Sequence, residues 1–217
     1  MNTSTSYSGD SFPFNFFNLE FIAPSPSQDS DLLKQLSFVP GLQEILMLRQ
    51  VHALEHATVW VLSETTSVYS PLENPNNVQF DNESLSGLST EQGFYLYGEV
   101  NISHLRRAVT LAQHRLTSGE WDLAVHPRCG TNLSVAMVLT AGFAIGVYAM
   151  LPFRPIEQLI GLALAATTAS ELAPDLGSIA QRYLTTAIPF NLAIENTIRT
   201  RDTWGREAHF IKVKWRN

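Results

Sequence analysis

The chain has 217 residues, a mass of 24.1 kDa and a formal charge of −6, from 14 Lys and Arg against 20 Asp and Glu. Charged residues make up 16%, against about 25% in an ordinary soluble domain, and the deficit is concentrated rather than spread along the chain. An acidic balance without clustered cations excludes general nucleic-acid binding, and a single cysteine, Cys129, excludes an internal disulfide or an all-cysteine zinc cluster.

The first thirty residues hold no Lys or Arg, so the basic segment of a secretory signal is missing, and their Ser, Asn and Pro content predicts a disordered lead-in over 1–30. Phe12, Phe14, Phe16, Phe17 and Phe21 interrupt it. Such a cluster suits docking on a membrane interface or a partner, and equally a tail folded back on its own domain. A helical turn is expected over Asp31–Ser37, after which Pro40 and Gly41 punctuate the chain. Leu42, Ile45, Leu46, Leu48, Val51, Leu54, Val59 and Val61 then recur at three- and four-residue intervals, which predicts a long helix to about Ser63. Glu64 to Gln92 is polar and turn-rich and reads as a surface loop with room for a strand at Val78–Phe80.

Gly93–Val100 has the aromatic content of a strand. Ser103–Ser118 reads as an amphipathic helix with Leu105, Ala108, Val109, Ala112 and Leu116 inward and Gly119 as its stop. Trp121–Val125 is expected as a further strand, and strand, helix and strand in this order permit a small βαβ-like or α+β unit. Cys129 to Phe153 then runs without a single charge, long enough to cross a hydrocarbon layer of about 30 Å. A second apolar run, Ile156–Ala173, carries Glu157 and Glu171 near its ends, and Pro152-Phe153-Arg154-Pro155 supplies the turn between the two. The pattern predicts a helical hairpin in a membrane, with a buried hairpin of a soluble protein as the rival. Arg115 and Arg128 before it and Arg182, Arg199, Arg201 and Arg206 after it, against Arg154 alone at the tip, place the flanking parts in the cytoplasm. In the C-terminal part, the alternation His209–Trp215 suits an edge strand or an interfacial anchor.

The chemistry-bearing motif is His52-Ala53-Leu54-Glu55-His56, of the form H-x-x-E-H. On a helix, residues four apart share a face, so His52 and His56 can address one ion while Glu55 sits beside it. Hydrolytic zinc sites need two such ligands and a carboxylate near, but not on, the metal. The pentapeptide resembles that of the inverzincin metallopeptidases, which implies His52 and His56 as ligands and Glu55 as general base. Those enzymes are several times longer, and their third ligand is a downstream Glu, for which Glu120 is the available counterpart. His126-Pro127-Arg128-Cys129 offers a better one. With both His126 and Cys129 bound the site is closed and structural; with one of them a position stays open for water. The rival to a metal is a polar helix turn with Glu55 paired to Arg49 or Arg107. Thr131 and Asn132 are expected to cap the first apolar helix.

Across residues 45–215, His-Ala-Leu-Glu-His-Ala, Gly-Phe-Tyr-Leu-Tyr-Gly and Ala-Val-His-Pro-Arg-Cys-Gly-Thr-Asn before a hydrophobic hairpin are similar to an uncharacterised family of cyanobacterial membrane proteins. The resemblance implies a photosynthetic bacterial source and brings no activity with it.

The expectation is therefore an α+β protein: a lead-in over 1–30, a small cytoplasmic domain over 31–130 with a long N-terminal helix and short strands, a membrane hairpin over 131–175, and a cytoplasmic tail over 176–217 packing on the domain. Its expected setting is the plasma or thylakoid membrane, with the lipid bilayer, and a membrane protein or peptide substrate, as partners and no nucleic acid. Its expected function is metal binding, with zinc on His52, His56 and one or both of His126 and Cys129, and peptidase-like hydrolysis through Glu55. The alternative is a non-catalytic membrane assembly or scaffold factor in which the cluster is structural or metal-free.

Overall fold

The computed structural model describes residues 23–68, 82–151 and 154–216. The phenylalanine cluster of the lead-in and the strand expected at Val78–Phe80 lie outside them.

A short helix, α1 (Gln28–Gln35), leads into the central helix α2 (Leu42–Val68). From Ala53 to Ser63 every residue of α2 is buried, because other elements surround it. Helix α2 thus continues five residues past Ser63, into the segment expected as loop. Strands β1 (Ser86–Thr90) and β2 (Gly93–Tyr97) form a hairpin. Helix α3 (Ile102–Thr117) starts where the Asn101 side chain accepts the Ser103 N–H at 2.8 Å, an N-cap that satisfies one otherwise unpaired donor. It buries the five residues that its period predicts and ends before Gly119, whose φ of +111° an L side chain rarely adopts.

Trp121–Ala124 is a turn of 3-10 helix, not a strand. Four residues give no period to separate the two, and Leu123 and Ala124 bury themselves against α2 without a ladder. Among the described residues no βαβ unit forms: the sheet is antiparallel, in the order β1-β2-β4-β3, with β3 (Leu192–Arg201) and β4 (Glu207–Trp215) contributed by the C-terminal part. Strand β4 is therefore central, not an edge strand or an anchor. Its alternation arises because Ile211 and Val213 face the core while Lys212 and Lys214 reach outward to Glu195. The core lies between this sheet, α2 and α3, around Leu54, Phe94, Leu96, Leu105, Val109, Leu192 and Ile211.

Helices α4 (Gly130–Met150) and α5 (Pro155–Ala180) pack on each other as a hairpin. The seam on α5 is Gly161, Ala165, Ala169, Ala173 and Gly177, one small residue every four, which lets the two backbones approach closely. A Cβ at Gly177 would lie 2.1 Å from the Asn132 side-chain oxygen. The large apolar side chains point away from the seam: Val138, Ile145, Ile156, Leu159 and Leu164 are all more than 60% exposed. Helix α4 is long and apolar enough to cross a membrane; α5, with Glu157, Glu171 and Asp175, does not reach the same hydropathy. A single turn of π-helix, Gln181–Thr185, closes α5 and returns the chain to α2.

Candidate metal centre

Three elements meet at one end of the sheet. Helix α2 presents His52, Glu55 and His56; the turn before α4 presents Cys129; the π-turn after α5 lies across them. Arg49 fastens that turn, donating to the Tyr183 and Thr186 carbonyls at 3.2 and 3.0 Å, while its own carbonyl accepts the Ala187 N–H. Gln181, fully buried, fastens the other side: its side-chain oxygen accepts the His126 N–H at 2.8 Å and its amide donates to Asn132 at 2.7 Å. The Cys129 loop and the end of α5 are thereby held in one register.

His52 Nδ1 lies 3.0 Å from the Thr185 carbonyl oxygen, and His56 Nδ1 lies 2.7 Å from that of Ala124. A carbonyl only accepts, so both imidazoles carry their proton on Nδ1 when neutral and leave the Nε2 lone pair for another partner. The rings stand edge to face, with centroids 4.3 Å apart. Cys129 Sγ is 3.3 Å from His52 Nε2, and one ligand atom from each of His52, His56 and Cys129 lies within 4.8 Å of the others. Ligands of a tetrahedral zinc sit about 3.3–3.6 Å apart, so side-chain adjustments of an ångström bring this set onto one ion. Soft sulfur with two imidazoles also favours zinc over a hard, oxygen-seeking cation.

Cys129 is the N-cap of α4, its sulfur accepting the Thr131 N–H at 3.4 Å. The cap expected from Thr131 and Asn132 is thus made by the cysteine, while Asn132 donates to the Pro127 carbonyl. Burial pushes the thiol up, but the hydrogen bond and charge of His56, together with the Thr131 contacts, overcome it and hold the thiol below its ordinary range.

Glu55 is 8% exposed, and its burial raises the carboxyl above the usual range, against the opposing charge of His52 and the hydrogen bond from Ser89. Ser89 Oγ donates to Oε2 at 2.8 Å, and Glu55 pairs with neither Arg49 nor Arg107 in this arrangement. Gly87 makes room for it, since a Cβ there would lie 2.1 Å from Oε1. The His126 ring lies 5.6 Å from that of His56 and 4.7 Å from Trp60, and its Nδ1 accepts the Arg128 N–H at 3.3 Å. It is outside the convergent set. Glu120 is held by Arg115 at the start of the 3-10 turn and takes no part. A cavity of about 600 Å³ opens over the cluster, bounded by Ile45, Leu48, Leu88 and Leu184.

Sequence reasoning missed Ser89, Gly87, Gln181 and the two carbonyls. Small polar and glycine residues carry no signal of their own, and a carbonyl has no residue identity.

Comparison with known proteins adds kinship without a function. Residues 47–197, which include the whole cluster, match the model of a domain of unknown function (DUF6391). An uncharacterised protein of Picosynechococcus sp. (strain PCC 7002) is 50% identical over 202 residues, covering 93% of this chain and 96% of that relative. No solved structure matches. The chain belongs to the DUF6391 family, an uncharacterised family with cyanobacterial membership.

Proposed function

We propose that this protein is a membrane-anchored zinc protein that hydrolyses an amide or peptide bond at the membrane surface, with His52, His56 and Cys129 as ligands and Glu55 as general base. The observation that carries the reading is the convergence of three ligand atoms within 4.8 Å, with both imidazoles tied through Nδ1 to main-chain carbonyls. Such ties fix ring orientation and are the usual partner of a metal-bound imidazole. Three protein ligands leave one tetrahedral position, and in this reading His126, whose ring packs beside Trp60, is not a fourth ligand. Zinc bound there would polarise a carbonyl and lower the pKa of a bound water. Glu55 has Oε2 held by Ser89, which leaves Oε1 to take a proton, and the upward push of burial makes it a stronger base than an exposed carboxylate.

The anchor is the α4–α5 hairpin. Its outward apolar side chains and its seam of small residues are what a lipid environment favours. Arg115, Arg128 and Arg182 at its base, against Arg154 at its tip, favour a cytoplasmic domain on a plasma or thylakoid membrane.

Zinc content of the full-length protein in detergent tests the reading. Wild type is expected to carry about one zinc per chain, and the His52→Ala, His56→Ala double variant none. Glu55→Gln is expected to keep the metal and lose hydrolysis of a quenched fluorescent peptide library. Equal metal content in wild type and double variant ends the proposal. Metal without turnover in any form leaves a structural centre in an assembly factor.

A further inference from the structure

Strand β1 is the end strand of the sheet, and among the described residues nothing pairs with its outer edge. The cavity over the metal cluster is lined by Ser86, Gly87, Leu88 and Ser89, four consecutive residues of β1, and by Leu85 just before them. Successive side chains of a strand point to opposite faces, so a cavity lying against one face meets alternate residues only. Contact with four residues in turn means that the cavity runs along the edge of the strand, past its main chain. The edge of an antiparallel ladder presents unpaired N–H and C=O groups at alternate residues. Their natural complement is another extended main chain.

The geometry points to an extended polypeptide segment as the ligand of this cavity, adding to β1 as a fifth strand and passing over His52, His56 and Cys129. Main-chain hydrogen bonds supply affinity without regard to sequence, and pockets for alternate side chains supply selection. The pocket is apolar: Ile45 and Leu48 on α2, Leu88 on β1 and Leu184 on the π-turn all border the cavity and are all exposed. Gly130 and Thr131, the first turn of α4, complete the lining, so the segment lies where the hairpin leaves the domain. Glu55 is reached from the same strand, because Ser89 and Gly87 both back onto it. Cleavage of the segment rests on the zinc-hydrolase reading; its binding to β1 does not.

The probe is the acetylated, amidated hexapeptide Lys-Thr-Leu-Thr-Val-Lys and the same peptide N-methylated at alternate residues, each titrated into the full-length protein in detergent micelles. Amide hydrogen exchange across 85–90 and binding isotherms are read for wild type and for the His52→Ala, His56→Ala variant, with metal content measured separately. The unmethylated peptide is expected to slow exchange on β1, and the methylated one to bind about tenfold more weakly or worse, the loss of two hydrogen bonds. Both proteins are expected to show the difference. Equal binding of the two peptides overturns the inference whatever the metal content. Protection, before any peptide is added, of the alternate β1 amides that point away from β2 also overturns it, since the edge is then covered by this chain. Peptide discrimination by a wild-type protein that carries no more zinc than the double variant sinks the metalloenzyme reading and leaves strand addition standing.

Discussion

His52 Nε2 and Cys129 Sγ lie 3.3 Å apart, although 77 residues separate them in sequence. Nothing local brings them together. The meeting is enforced by Arg49, which clamps the π-turn over His52, and by Gln181, which locks the Cys129 loop to the end of α5.

Gln181 is the more exposed of the two to a test by substitution, because its loss strands a buried partner. In Gln181→Ala the His126 N–H loses its acceptor, and a buried unsatisfied donor costs about 1–3 kcal/mol. The Cys129 loop then loses its register with α2. The variant is expected to unfold at lower urea by that amount and to bind zinc about 10–100-fold more weakly, as loss of a positioning partner does. Urea titration and competition with a chromophoric chelator read the two effects.

The hairpin account predicts that wild-type protein stays in the membrane pellet after alkaline carbonate extraction. Val138 and Ile145 face outward on α4. Replacing both with Lys adds about 2.5–3.5 kcal/mol per residue to insertion and is expected to shift the protein to the soluble fraction. Extraction of the wild type by carbonate would place the hairpin on protein or at the surface instead.

Asp202 stabilises the β3–β4 turn. Burial pushes its carboxyl up, but N–H groups of Arg206 and Trp204, the Arg206 guanidinium and the Tyr97 hydroxyl all donate to it and hold it at about 2. A carboxyl depressed in the folded state contributes stability above its unfolded pKa of about 3.9 and loses it as pH falls through the folded value. Asp202→Asn is therefore expected to melt below wild type at pH 7. The gap between the two melting temperatures should close between about pH 4 and pH 2. A gap constant across that window means that shape, not charge, is what Asp202 supplies.

Much of this was legible in the residues themselves. The inward set of α3 follows directly from its period, and the uncharged run after Cys129 becomes α4 because nothing in it interrupts a helix. Ser86–Thr90, by contrast, has no apolar alternation to announce a strand. Trp121–Ala124 is too short for a period. Strand β4 shows its alternation, but its central place depends on pairing with β2 across more than a hundred residues, which no local pattern records. At the site, His52, Glu55, His56 and Cys129 declare themselves by side-chain chemistry. His126 looks equivalent in sequence, but its ring packs on Trp60 and it is not among the three residues whose ligand atoms converge.

X-ray absorption at the zinc edge of the loaded, full-length protein addresses the metal centre most directly. One sulfur at about 2.3 Å with nitrogen or oxygen neighbours near 2.0 Å is expected in wild type. The sulfur shell should vanish in Cys129→Ser and the imidazole scattering should fall in His52→Ala. A wild-type spectrum without sulfur, or one unchanged in Cys129→Ser, would contradict a site built from His52, His56 and Cys129.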